Sequence, residues 1–136
     1  MNLIQRIAAI TGVAFILVAI LGFATTGFTG QMTHVTMESA PKLLGLFPVN
    51  PMHNAVHLLL GLWGVAAARR PRASTAYAAI SGIIYLLLAA LGFLAPTMFG
   101  MIPIGGYDIV LHFVLAIILI GCAFLASLRE EVEMAA

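Results

Sequence analysis

Four stretches of the chain are apolar enough to be read as bilayer spans, the second of them short unless Asn50 to Asn54 are also immersed, and this limits what the polypeptide can become. They run roughly from Ile7 to Phe28, His53 to Ala68, Thr75 to Ala95 and Asp108 to Leu128. A spanning helix takes about 20 apolar residues. In hydrocarbon each backbone amide must find its partner inside the protein, so such stretches become α-helices. Hydrophobic residues make up 62% of the 136 positions and charged residues only 8%, too little polar surface for a soluble globule of this size. The expected fold is all-α: an integral membrane four-helix bundle forming one transmembrane domain over residues 1–136.

Charge gives the orientation. Arg6, Arg69, Arg70, Arg72 and Arg129 fall on one side of the four-span arrangement and Lys42 on the other, which places both termini in the cytoplasm by the positive-inside rule. The first stretch is long for a signal peptide and lacks an A-x-A cleavage site. Between Gly30 and Asn50 the apolar segment Leu43 to Phe47, closed by Pro48 and flanked by Lys42, is expected to lie against the membrane surface. A net charge of +1 leaves no nucleic-acid footprint. Cys122 is the sole cysteine, so there is no disulfide framework and no thiolate metal site.

The chain also repeats itself. Ala8-Ala9-Ile10-Thr11-Gly12 followed by Leu21-Gly22-Phe23 recurs 70 residues later as Ala78-Ala79-Ile80-Ser81-Gly82 followed by Leu91-Gly92-Phe93, with nine of the sixteen positions in residues 8–23 and 78–93 identical. In the second half of each unit Pro48 stands nine residues before His57, and Pro103 nine before His112; His53 then aligns with Asp108. Two tandem helical hairpins, about 1–70 and 71–136, are expected, related by a pseudo-twofold axis along the membrane normal. The small residues recurring on one face of the first and third helices suit close helix packing in lipid.

Polar chemistry concentrates in two octapeptides. Asn50-Pro51-Met52-His53-Asn54-Ala55-Val56-His57 opens the second helix, and Gly105-Gly106-Tyr107-Asp108-Ile109-Val110-Leu111-His112 opens the fourth. His53 and His57, like Asp108 and His112, stand at i and i+4 and share a helix face. Counting along the helices from Arg69 and Arg129 puts His57 and His112 in the outer part of the hydrocarbon, where an ionisable group needs a partner. Three readings compete. The cluster is interhelical hydrogen-bond glue, with Asn50 and Asn54 capping the second helix; or it holds a metal or haem; or it lines a redox, proton or solute path.

Within the second reading, His53, His57, Asp108 and His112 form a ligand set suited to zinc, iron or copper. Asp108 either binds or orients a ligand, and Asn50 and Asn54 stand behind the ligands. Alternatively His57 and His112 are axial ligands of a b-type haem, with the macrocycle over Gly61 and Gly64. Met32, Met37, Met52, Met98 and Met101 lie on the outer side and would suit Cu(I). No nucleophile elbow, phosphate loop or carboxylate pair is present, so enzymatic catalysis has no support here.

The run Asn50-Pro51-Met52-His53-Asn54-Ala55-Val56-His57-Leu58, then Gly61 and Gly64, then Asp108 and His112, resembles a bacterial family of four-helix membrane proteins catalogued as a domain of unknown function. The resemblance covers nearly the whole chain. It implies four spans in a bacterial plasma (inner) membrane and adds weight to His53, Asn54, His57, Asp108 and His112 as a set; it supplies no activity. In general layout alone the chain is also similar to the DoxX-like four-helix membrane proteins, associated with quinone and thiol redox chemistry. What these features suggest together is a small membrane component, partnered by the lipid bilayer and by a larger membrane complex or further copies of itself.

Overall fold

The computed structural model describes residues 1–135; Ala136, the last residue of the expected domain, lies outside them. Its helices start where the sequence supplies caps. α1 (Leu3–Thr26) opens on a reciprocal pair in which the Gln5 amide donates to Asn2 Oδ1 (3.1 Å) and the Asn2 amide to Gln5 Oε1 (2.9 Å), satisfying two donors that the first turn leaves free. α2 (Pro51–Ala67) is capped by Asn50, whose Oδ1 accepts from the His53 amide at 2.8 Å. Pro51 and Pro71 occupy first-turn positions of α2 and α3 (Pro71–Leu94), where a missing N–H costs nothing. α4 (Tyr107–Ala135) follows Gly106, at φ +62°.

The fold is an all-α membrane bundle. α1, α3 and residues Tyr107–Val132 of α4 are each long and apolar enough to cross a membrane. α2 has 17 residues and rises only about 26 Å, at the lower limit for a span. Large apolar side chains such as Ile10, Leu17, Ile83, Leu87, Ile117 and Leu125 point outward, the surface that lipid rather than water would cover.

Glycines set the closest approaches. A Cβ on Gly12 of α1 would stand 2.7 Å from the Val65 amide nitrogen and 2.8 Å from the Gly61 carbonyl oxygen of α2. A Cβ on Gly82 of α3 would meet Ile120 Cγ1 of α4 at 2.7 Å. α1 therefore packs mainly on α2 and α3 on α4, with α1 and α3 touching between the pairs; α2 and α4 make no close backbone approach among the described residues. Phe15, Leu60, Tyr85, Ala116 and Leu119 fill the space they share.

The loop between α1 and α2 contains an element that sequence reading missed. β1 (Lys42–Leu43) and β2 (Phe47–Pro48) form an antiparallel hairpin, Lys42 opposite Pro48 and Leu43 opposite Phe47, turning through Leu44 and Gly45 at positive φ. Strands this short carry no periodicity to detect. Leu43 is buried while Leu44 and Leu46 are exposed at the tip. A second loop joins α3 to α4 at the same end of the bundle and is tied to the first by the Val35 amide donating to the Gly100 carbonyl at 3.0 Å.

Candidate metal centre

α2 carries His53 and His57 inward on its first two turns, and their rings stack with centroids 4.6 Å apart. His112 reaches in from the start of α4, its centroid 6.3 Å from that of His53 and 6.4 Å from that of His57. One ring nitrogen from each of the three lies within 4.8 Å of the others, and all three residues are buried. The expected convergence of the second and fourth helices thus happens through side chains alone, across the width of the bundle.

The second nitrogen of each ring explains how the rings are held. His53 Nδ1 lies 3.1 Å from the Pro103 carbonyl oxygen, His57 Nδ1 3.1 Å from that of His53, and His112 Nδ1 2.7 Å from that of Asp108. A carbonyl can only accept, so each neutral ring is assigned its proton on Nδ1 and keeps its lone pair on Nε2. Among the described residues no hydrogen bond reaches any of the three Nε2 atoms. Fixing Nδ1–H on a main-chain oxygen is how metal-binding histidines are oriented and made more basic.

Asp108 stands apart from the three. Its Oδ1 is 3.5 Å from His112 Nδ1, and Oδ2 has no partner. The carboxylate therefore lies on the Nδ1 side of that ring, away from Nε2, and it is not in the three-histidine group. Of the four expected ligands the structure brings together His53, His57 and His112, with Asp108 placed to orient His112.

The asparagines divide their work. Asn50 caps α2 as expected and also donates from Nδ2 to the Met101 carbonyl at 2.7 Å, fastening the loop between α3 and α4 to the helix start. Asn54 is not a cap. It is fully buried and donates from Nδ2 to Thr26 Oγ1 of α1 at 3.0 Å; it lies one turn inside the helix, where the backbone amides are already paired, so its side chain bonds sideways.

A cavity of about 40 Å³ adjoins the rings, lined by His53, Val56, His57, Leu60, Tyr85, Leu88, Ile102, Ile104 and His112. No methionine lines it, so Met32, Met37, Met52, Met98 and Met101 bring no thioether to its wall. The space a macrocycle was expected to use is taken: Gly61 lies against Ile16 and Gly12, and Gly64 against Tyr77 and Gly12. Tyr85 was missed from the sequence. Its ring centroid is 4.9 Å from that of His112 and its buried hydroxyl has no partner. The available signal was its position in mid-span, since membrane tyrosines usually gather at the interfaces.

Residues 5–125 match the family model described as "Domain of unknown function (DUF4383)". The chain belongs to that family. No match was found among curated proteins or solved structures. The expected family type is thereby borne out, and the family's description names no activity.

Proposed function

We propose that this membrane protein holds one transition-metal ion on the Nε2 atoms of His53, His57 and His112. The observation that carries this reading is the fixed tautomer in a tight group: three buried rings each anchor Nδ1 on a main-chain oxygen, which leaves the lone pair on Nε2, and one nitrogen from each ring lies within 4.8 Å of the others. Neutral imidazoles suit zinc, copper, iron and nickel. Tetrahedral coordination with bonds of about 2.1 Å separates ligand nitrogens by about 3.4 Å; starting from separations within 4.8 Å, modest ring rotations reach that distance. The cavity of about 40 Å³ accepts an ion far more readily than a haem. Asp108 supplies a compensating charge behind His112.

Hydrogen-bond glue describes the asparagines better than the histidines. Asn50 ties α2 to the loop between α3 and α4 and Asn54 ties α2 to α1, whereas of the three histidines only His53 bonds outside its own helix, and among the described residues no hydrogen bond joins two histidine side chains. The same reading takes α2 as a fourth, short span, the arginine-rich ends as cytoplasmic in a bacterial inner membrane, and the two hairpins as a tandem repeat. With so little chain outside the membrane, it acts as an accessory component of a larger assembly or as a homo-oligomer.

Metal analysis of protein purified in mild detergent without chelator tests the site. About one equivalent of metal per chain is expected, lost in His53→Ala, His57→Ala and His112→Ala. Ligand histidines must be neutral, so occupancy falls as the pH falls. A preparation that holds no stoichiometric metal and takes up none of zinc, iron or copper on titration sinks the proposal.

A further inference from the structure

We infer that the ion on the three histidines keeps one open position, and that this position takes a water molecule or an anion of up to three atoms held by the Tyr85 hydroxyl. The inference rests on the metal reading above and gives the site a reactive role instead of a purely structural one. Structural zinc sites are closed by four protein ligands, while sites that bind or transform small molecules use three. The residues around this one supply three. Asp108 lies on the Nδ1 side of His112, and the cavity wall offers no sulfur and no carboxylate.

Space and charge define the occupant. A single water needs about 10–15 Å³ of cavity, and the ion and its fourth ligand share about 40 Å³: room for a water or a small anion, too little for an organic substrate. Beyond the histidines and Tyr85, the walls are Val56, Leu60, Leu88, Ile102 and Ile104. Three neutral imidazoles, with a single carboxyl group behind His112, leave a divalent ion's charge incompletely balanced in this apolar enclosure, which favours hydroxide or another small anion as the fourth ligand.

Tyr85 is the group that can hold it. Its counterpart in the first hairpin is Phe15, which flanks His57 edge-on at 5.6 Å as Tyr85 flanks His112 at 4.9 Å, and the two rings lie 5.4 Å apart. A phenyl ring therefore does the same packing work in the first hairpin, so the hydroxyl is surplus to packing. It is buried, unpartnered and on the cavity wall, where an unpaired hydroxyl is costly.

Cobalt(II)-loaded protein in detergent gives the test, with sodium azide as probe. Azide is expected to shift the visible cobalt bands saturably. Tyr85→Phe should load the same one equivalent of cobalt and bind azide about tenfold more weakly. Copper(II)-loaded wild type in H2¹⁷O should show oxygen coupling by pulsed electron paramagnetic resonance, a measurement that needs no variant. Cobalt bands indifferent to azide, together with no ¹⁷O coupling, would mean a closed site and overturn the inference while leaving metal binding intact. Unchanged azide affinity in Tyr85→Phe overturns the role of the hydroxyl. Failure to load any metal defeats both readings at once.

Discussion

The two hairpins share a frame and differ where the chemistry lies. In each, a glycine near the arginine-rich end brings the helices together: Gly12 against α2, Gly82 against α4. Ten residues on, a second glycine receives a side chain from the partner helix: Gly22 faces Asn54, and Gly92 faces Ile109. Those facing residues occupy aligned positions, yet one is polar and the other aliphatic. His53 aligns with Asp108 and Phe15 with Tyr85. The departures from the common pattern therefore gather around the three histidines. The first hairpin contributes two rings; the second contributes one ring, the carboxylate and the hydroxyl.

The frame can be broken first. At Gly12 a new Cβ meets three backbone atoms of α2 at 2.7–3.0 Å, which can yield only if the helices separate; at Gly82 it meets the Ile120 side chain at 2.7 Å and backbone of α4 only at 3.0 Å, so the helices need move less. Overpacking costs about 1–3 kcal/mol, so Gly12→Ala should lose about 3 kcal/mol and Gly82→Ala about 1 kcal/mol, read as thermal stability in detergent. Equal losses would mean the two seams are equivalent. Gly121→Ala, with nothing within 4 Å, is the control and should not destabilise the fold.

Next comes the carboxylate. Asp108→Asn keeps the shape and removes the charge behind His112, and loss of such an orienting group typically costs 10–100-fold in metal affinity. Isothermal titration with zinc measures it; unchanged affinity would show that the backbone carbonyl alone orients the ring. Thr26→Val removes the acceptor for Asn54 and should cost about 0.6 kcal/mol, an average membrane side-chain hydrogen bond. A loss well above that would make the pair a main tie between α1 and α2.

A small effect on stability is expected at the centre itself. His57→Ala in metal-free protein should cost no more than about 1 kcal/mol, because its hydrogen bond runs to its own helix and the glycine seams hold the bundle. Stability that collapses without metal present would mean that the imidazoles are structural glue after all.

Much of this could be read from the chain. Helix positions follow from apolar lengths, and the meeting of His53, His57 and His112 from the i, i+4 spacing together with the internal repeat. Other features could not. The acceptor for His53 is the carbonyl of Pro103, and a backbone oxygen carries no sequence signature. The wide separation of α2 and α4 depends on which glycines find helix partners, and α4 pairs through Gly82 of its neighbour with no glycine of its own at the seam. Asn54 has a cap-forming side chain but sits one turn too deep to cap. Tyr85 hid in a repeat whose other copy has phenylalanine.

The loop carrying Ile102, Pro103 and Ile104 has a further consequence. It roofs the cavity, and the Pro103 carbonyl within it holds the His53 ring. Lifting this roof would also withdraw the acceptor that orients that ring. Access to the cavity and the readiness of His53 to bind therefore depend on one and the same segment.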